Sequence, residues 1–207
     1  MNFTLTYRGD LPSASGGNAR VKEKHILRKA FHKQLKELWR VQPTLLKMAQ
    51  AKVSAPGAAL GEYVTLLENT ANKHSLSGFR FVPLVSLEQS LSCAVDILLL
   101  RRDHPGSLVK SGGDLDNRLK TIFDALRMPS NQSEVPPACP VDPNEDPFYV
   151  LLEDDSLITK VTVSSDRLLS PQEAGENINV VHLVIGVSVN VIGLSYYHGT
   201  NTMFLGA

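Results

Sequence analysis

The sequence predicts an α+β domain in which a mixed β-sheet of about five strands is covered by helices mainly on one face. Two periodicities in the sequence indicate this fold class. Residues 2–8 and 91–102 alternate apolar and other side chains in the manner of half-buried strands. Residues 21–39 and 114–126 repeat apolar residues every three or four positions, as amphipathic helices do. We expect the whole chain, 1–207, to form one domain around one core.

The strands follow from short apolar or β-branched runs. The first is predicted at residues 2–8, where Phe3, Leu5 and Tyr7 alternate with polar residues. Others are predicted over residues 79–85, 91–102, 148–163 and 179–192, the third of these being two strands around an acidic turn. Between them, residues 128–147 are rich in proline and polar side chains, and this composition predicts a mobile surface insertion.

Three helices are predicted. In residues 21–39 the apolar face carries Leu27, Phe31, Leu35 and Leu38, while a basic stripe repeats at similar spacing elsewhere on the helix. Residues 60–72 suggest a weaker helix. In residues 114–126 the apolar side chains fall at i, i+4, i+7, i+8 and i+11 from Leu115, which predicts a buried helix face.

Composition bounds the class of protein. The chain is 43% hydrophobic and 20% charged, in the range of ordinary globular proteins. It contains neither a run of about 18 apolar residues nor the pattern of a secretory signal, so we expect no membrane association and a cytoplasmic location. Cys93 and Cys139 have no metal-ligand spacing. The net charge of zero conceals a basic segment at 20–40 and an acidic one at 142–155, which suggest a polyanionic partner and a cation.

Two acidic groups are the candidates for chemistry. Asp114 and Asp116 begin the helix that carries Lys120, and Asp154 and Asp155 follow an apolar strand. Two interpretations stand side by side. The first pair can cap the helix and complement its dipole, and the second can form a polar turn. Alternatively, the two groups converge on a divalent ion. Oxygen-only ligands favour Mg²⁺ or Mn²⁺, and a nearby lysine could contact the phosphate of a phosphodiester undergoing hydrolysis.

Residues 113–126, "GDLDNRLKTIFDAL", followed by "LEDDSLI" at 152–158, resemble the RusA family of Holliday-junction resolvases. The shared pattern is D-x-D-N-x-x-K, then D-A-L, then D-D-[SA]-x-[IV], in that order along the chain. A lone D-x-D would be weak support, whereas the ordered combination is specific. With the strand predicted before them at residues 91–102, the two blocks cover about a sixth of the chain.

The resemblance implies a RusA-like fold and a site built from four residues. Asp114, Asp116 and Asp155 would be catalytic metal ligands for Mg²⁺ or Mn²⁺, and Lys120 would be the essential lysine. Asp154 is a neighbouring acid of lesser weight. It also implies a homodimer that nicks opposing strands of a four-way DNA junction in recombination and repair, in a bacterium or a bacteriophage.

Several basic residues are candidates for DNA binding. On the first helix they are Lys22, Lys29, Lys33 and Lys36, which would hold phosphates without reading the sequence; near the acidic motif they are Arg101, Arg102 and Lys110. Without a nucleic-acid substrate, the basic helix is equally well explained as a solvated face. Two alternatives to a junction resolvase therefore remain: a nuclease acting on other branched DNA, and a catalytically silent DNA-binding protein on the same scaffold.

Overall fold

A computed structural model describes residues 1–11, 20–54, 62–102, 114–171 and 180–192. The secondary structure is mixed, as predicted. The helices are α1 (Val21–Val41), α2 (Pro43–Gln50), α3 (Leu66–Lys73) and α4 (Asp114–Leu126). The strands are β1 (Asn2–Asp10), β2 (Lys52–Ser54), β3 (Tyr63–Thr65), β4 (Ser75–Leu76), β5 (Phe79–Val85), β6 (Leu91–Arg101), β7 (Phe148–Leu152), β8 (Ile158–Arg167) and β9 (Val180–Val191).

The strands form three sheets, which corrects the prediction of one sheet of about five strands. The largest has four strands in the order β1-β9-β6-β8, of which only β6 and β8 are parallel. A second contains β4, β5 and β7, with β5 and β7 parallel, and β2 pairs with β3 in the third. Strand β7 is buried along its whole length and β5 along nearly all of it, and strands covered on both faces read as continuous apolar runs. Such a run indicates that a segment is a strand, but not which other strands it pairs with.

The four-stranded sheet buries one face. Alternate residues of β6 and β9 are buried, including Val95, Ile97, Leu183 and Ile185, while residues between them such as Asp96 lie on the other face. Leu5 of β1 belongs to the same buried set. The period of two in the sequence therefore correctly identifies which side chains enter the core.

Helix α1 packs against β1, β7, α2 and α4. Leu27, Phe31 and Leu35 of the predicted apolar face are buried and Leu38 is half-buried, while Trp39 is buried beside them. The helix continues to Val41, and α2 begins at once with Pro43 in its first turn, where a missing backbone N–H costs nothing. Helix α2 was not predicted. Of the weaker helix predicted at 60–72, the part from Leu66 is observed as α3, whereas Tyr63–Thr65 form β3.

Residues 128–147 pack against the domain rather than projecting from it. Val135 is buried, and with Met128, Cys139 and Val141 it covers a second apolar cluster formed by Phe79, Phe81, Phe148 and Val150. Arg80 binds both carboxylate oxygens of Asp146, at 2.8 and 2.9 Å. Proline and polar residues correctly indicate the lack of long regular elements, but a few apolar side chains are enough to dock this segment. In the described part of the chain, no helix has the length and apolar character needed to cross a bilayer.

Candidate active site

Helix α4 carries the first motif block. Its buried face is formed by Ile122, Ala125 and Leu126, and its first turns are tied to the end of β1 by a hydrogen bond from the Arg118 guanidinium to the Leu11 carbonyl. Asp116 and Lys120 are exposed, one turn apart. The side chain of Asp114, the first residue of the helix, lies outside the described residues. Asp116 and Lys120 begin what we call the charged flank of α4, which Asp124 and Arg127 continue.

The charged flank of α4 runs from solvent into a cleft. Asp124 and Arg127 continue the spacing of Asp116 and Lys120, and they are buried and half-buried, respectively. Lys120, Asp124 and Arg127 together line a cleft of about 230 Å³ between α4 and α1. No hydrogen bond or ion pair engages Lys120 among the residues that the structure describes. Its ammonium group is therefore available to a ligand.

The second motif block follows β7. The backbone N–H of Glu153 donates to the Val85 carbonyl, which fixes the chain as it leaves the strand. A short 3-10 turn then spans Asp155–Leu157. Asp154 caps this turn by accepting a hydrogen bond from the Ser156 N–H at 3.0 Å, and its hydrogen bonds with Ser156 lower the pKa of Asp154. Asp155 is exposed at the start of the turn. Capping gives Asp154 a structural role, consistent with its lesser weight as a metal ligand.

The two blocks are in contact. Helix α4 contacts the turn at Asp155–Leu157, and the Met128 N–H donates to the Leu152 carbonyl at 2.9 Å. Burial opposes the charged form of Arg127, but its hydrogen bond to Glu134 and the charges of Glu134, Asp124 and Asp155 raise the pKa of Arg127. Asp155 of the second block thus stabilises the charged form of Arg127, the residue that directly follows α4.

The predicted metal ligands belong to two elements, α4 and the turn after β7. Asp116 lies in the first turn of α4, about 16 Å before Arg127 along the helix axis at 1.5 Å per residue. Among the described side chains, which include Asp116, Asp154 and Asp155, no three His, Cys, Asp or Glu residues are placed to hold a metal ion. Convergence of Asp114, Asp116 and Asp155 stays a prediction, because the Asp114 side chain is outside that set.

The basic stripe on α1 is divided between solvent and protein. Lys22 and Lys33 are exposed. Lys29 instead pairs with Glu145 at 2.9 Å, and the Lys36 ammonium donates to the Asn144 carbonyl at 2.6 Å. These two lysines help to hold the segment at residues 128–147 against α1. Phosphate binding by all four remains a prediction, but only Lys22 and Lys33 are not engaged by other described residues.

The basic residues before α4 lie at the end of β6. Arg102 donates through Nη1 and Nη2 to the carbonyls of Ser170 and Pro171, at 2.6 and 3.3 Å. The carbonyl of Arg101 accepts a hydrogen bond from the Leu168 N–H. Both arginines are thus bound to the chain that follows β8. Lys110 lies outside the described residues.

Two charged residues that the sequence prediction did not select lie on the buried side of α1. Lys24 is 7% exposed and forms an ion pair with Asp124 at 2.8 Å. Arg28 is 1% exposed; its Nη2 donates to the Asp124 carbonyl at 2.7 Å and its Nε to the Arg127 carbonyl at 3.3 Å. Their i, i+4 spacing beside Leu27 and Phe31 was the available signal, since charges so close to an apolar stripe face a partner element.

The histidines of α1 have structural partners. His32 accepts a hydrogen bond from the Tyr149 N–H at 2.8 Å, and its ring packs on Phe148 with centroids 4.3 Å apart. His25 packs against Phe79 and Phe148. Burial, with the nearby charges of Arg28 and Lys29, lowers the pKa of His25 to about 4. These contacts give both histidines a structural role in the packing of α1.

Compared with protein-family models, with curated proteins and with solved structures, the chain has no match. The resemblance to RusA resolvases accordingly rests on the two motif blocks and their order along the chain.

Proposed function

We propose that this protein is a Mg²⁺-dependent, structure-selective DNA endonuclease that resolves four-way junctions by paired nicks. The observation that carries the proposal is the ordered pair of motif blocks, D-x-D-N-x-x-K with D-A-L and then D-D-S-x-I. The structure supports it to the extent that α4 presents Asp116 and Lys120 to solvent on one flank and contacts the turn that begins with Asp155.

The side chains present are suited to a hard divalent cation. Asp116 and Asp155 are exposed carboxylates, and with Asp114 they would offer oxygen ligands, which Mg²⁺ and Mn²⁺ prefer. When bound, the ion would activate water and stabilise charge on the phosphodiester. Lys120, an exposed cation one helical turn after Asp116, would bind a non-bridging oxygen of the scissile phosphate and offset the charge that develops there.

The basic residues would position the DNA. Lys22 and Lys33 on α1 would hold backbone phosphates without selecting a sequence. A symmetric four-way junction needs two cuts, so a homodimer would supply one active site to each of two opposing strands. Sedimentation of the purified protein, alone and with a junction, would measure this directly.

Replacement of one carboxylate tests the mechanism. We expect Asp116→Asn to reduce junction cleavage at least a thousandfold in the presence of Mg²⁺, because a neutral amide is a poor ligand for the ion. DNA binding measured in EDTA should be kept or strengthened, since a negative charge near the phosphates is lost. Asp96→Asn, an exposed acid on β6, is the matched control and should cut at the wild-type rate. Normal cleavage by Asp116→Asn would remove this residue from the mechanism.

The choice of substrate separates the alternatives. The wild-type protein would be incubated with a synthetic four-way junction, a fork and a linear duplex, with and without Mg²⁺. Symmetric nicks in the junction alone support the resolvase. Cuts in the fork would favour a nuclease for other branched DNA, and binding without cuts in any substrate would favour a silent DNA-binding protein.

A further inference from the structure

A polar cleft between α1 and α4 is distinct from the predicted carboxylate site, although Lys120 borders both. The cleft has a volume of about 230 Å³, enough for one tetrahedral oxyanion and a few waters. Its ionisable lining consists of four cations and two carboxylates, Lys24, Arg28, Lys120, Arg127, Asp124 and Glu134. The lining therefore has an excess of two positive charges, in a chain whose net charge is zero.

The two carboxylates are already engaged by two of the cations. Asp124 binds Lys24 at 2.8 Å and Arg127 at 3.1 Å, and Glu134 binds Arg127 at 3.0 Å. The excess positive charge thus resides on Arg28 and Lys120. Arg28 donates to two backbone carbonyls, whereas Lys120 has no partner among the residues described.

Arg28 supplies an independent observation. Its side chain is 1% exposed, and its Nη1 has no hydrogen-bond partner within the described part of the chain. Buried donors in proteins nearly always have a partner, so an unpartnered one commonly indicates an unoccupied ligand or ion position. Burial lowers the pKa of Arg28 to about 10, which still leaves the guanidinium charged at neutral pH. A buried cation without its own carboxylate is best compensated by an anion.

We propose that this cleft binds a phosphate group, held by Lys120 at its rim and by Arg28 on its inner wall. Guanidinium and ammonium groups are the side chains that bind phosphate best, the first through a planar fork and the second as a point charge. The source of the phosphate is a DNA strand or a small phosphorylated molecule. Assignment to DNA rests on the proposed function, whereas binding of a phosphate group by the cleft does not.

Binding of inorganic phosphate would be measured first on the wild-type protein, without DNA and at constant ionic strength maintained with chloride. We expect saturable shifts of the Arg28 side-chain NMR signals and of the Lys120 signals. This measurement needs no substitution at the buried arginine, so it is independent of any folding defect. Saturable binding that leaves both signals unmoved, or the lack of saturable binding, would overturn the proposal.

Variants then test the charges. Lys120→Ala removes an exposed side chain and should weaken phosphate binding about tenfold, the effect of losing a charge-assisted hydrogen bond. Arg28→Met should weaken it at least as much, provided that circular dichroism confirms its folding. Lys47→Ala, an exposed lysine on α2, is the matched control and should bind like the wild type. Unchanged phosphate affinity in Lys120→Ala would contradict the proposal.

Competition identifies the source. In EDTA, phosphate should displace a labelled DNA junction, and Arg28→Met, which alters the cleft outside the predicted carboxylate site, should weaken DNA binding, if the group belongs to a DNA strand. Phosphate binding in the cleft with no effect on DNA would assign the site to a small phosphorylated molecule. The junction-cleavage assay is separate. A protein that binds phosphate here but never cuts DNA would refute the proposed function alone, and one that cuts DNA without this binding would refute the cleft alone.

Discussion

Lys24, Arg28 and Asp124 are charged residues with almost no exposed surface, and their charges are compensated in two ways. Lys24 and Asp124 neutralise one another at 2.8 Å, while Arg28 uses two backbone carbonyls near the end of α4. Removing one member of a buried ion pair typically costs 3–5 kcal/mol, roughly, because the remaining charge has no counterion. These three residues therefore fix the angle and register at which α1 meets α4, and with it the position of Lys120.

Histidine burial predicts a pH-dependent stability. The folded-state pKa of His25 is about 4, below its ordinary value of 6.5, so the unfolded chain binds a proton first as the pH falls. The free energy of unfolding should fall between about pH 6.5 and pH 4, and His25 should account for a loss on the order of 1 kcal/mol. Urea unfolding at intervals across this window measures the effect.

The matched variant is His25→Leu, which keeps an apolar side chain against Phe79 and Phe148. Its stability should depend less steeply on pH over the same window. Some dependence should remain, since burial lowers the pKa of His32 and of His74 as well. A variant as pH-sensitive as the wild type would show that His25 does not titrate as we describe.

At the scale of elements, the segment at residues 128–147 is one for which composition and packing lead to different expectations. Proline and polar residues predict mobility, whereas the structure docks the segment through Val135, Cys139 and Val141. Its ion pairs, Arg80 with Asp146 and Lys29 with Glu145, connect it to β5 and α1. The segment is thus attached to two separate elements of the domain, α1 and β5.

Truncation of its buried valine measures that attachment. Val135 is 6% exposed, and Val135→Ala should lower the free energy of unfolding by about 1–2 kcal/mol, from lost apolar burial. Val41→Ala, where the side chain is 53% exposed, should change it by less than about 0.5 kcal/mol. Equal effects of the two substitutions, measured by urea unfolding, would indicate that the segment is not packed in solution.

At the scale of the whole molecule, the question is which charges face a polyanion. The chain has 21 basic and 21 acidic residues, so attraction to DNA must come from their distribution. Lys22 and Lys33 are exposed on α1, whereas Lys29 and Lys36 are bound to Glu145 and Asn144. The two exposed lysines should therefore make the larger contribution to phosphate contacts.

Salt dependence measures those contacts. Each phosphate contact adds about 0.9 to the slope of log affinity against log salt concentration, so Lys22→Ala and Lys33→Ala should each reduce the slope by roughly one. Lys36→Ala should reduce it less, and Lys52→Ala on β2 is the control that should not alter it. Binding of a labelled junction in EDTA at several KCl concentrations gives these slopes. Equal slopes in all four variants would argue against α1 as a DNA-binding face.

The sequence by itself determined the longer elements and the ordered motif blocks. Alternation predicted β1 and β6, a β-branched run predicted β9, and helical spacing predicted α1 and α4. Each periodic pattern reflects one buried face of one element. It also identified Asp116, Lys120 and Asp155 as candidates through their resemblance to a known family. These predictions did not require knowledge of which elements pack against each other.

The tertiary structure decided the partners. Only the packing of α1 on α4 brings Lys24 and Arg28 to Asp124, which lies about a hundred positions later in the chain. Likewise, only the hydrogen bonds between strands show that β5 and β7 belong to a different sheet from β6, β8 and β9. The periodicity of a sequence indicates which side chains are buried, but not which residues they contact. Charge compensation between distant segments depends on which residues are in contact. For this reason the cleft between α1 and α4 could not be predicted from the sequence.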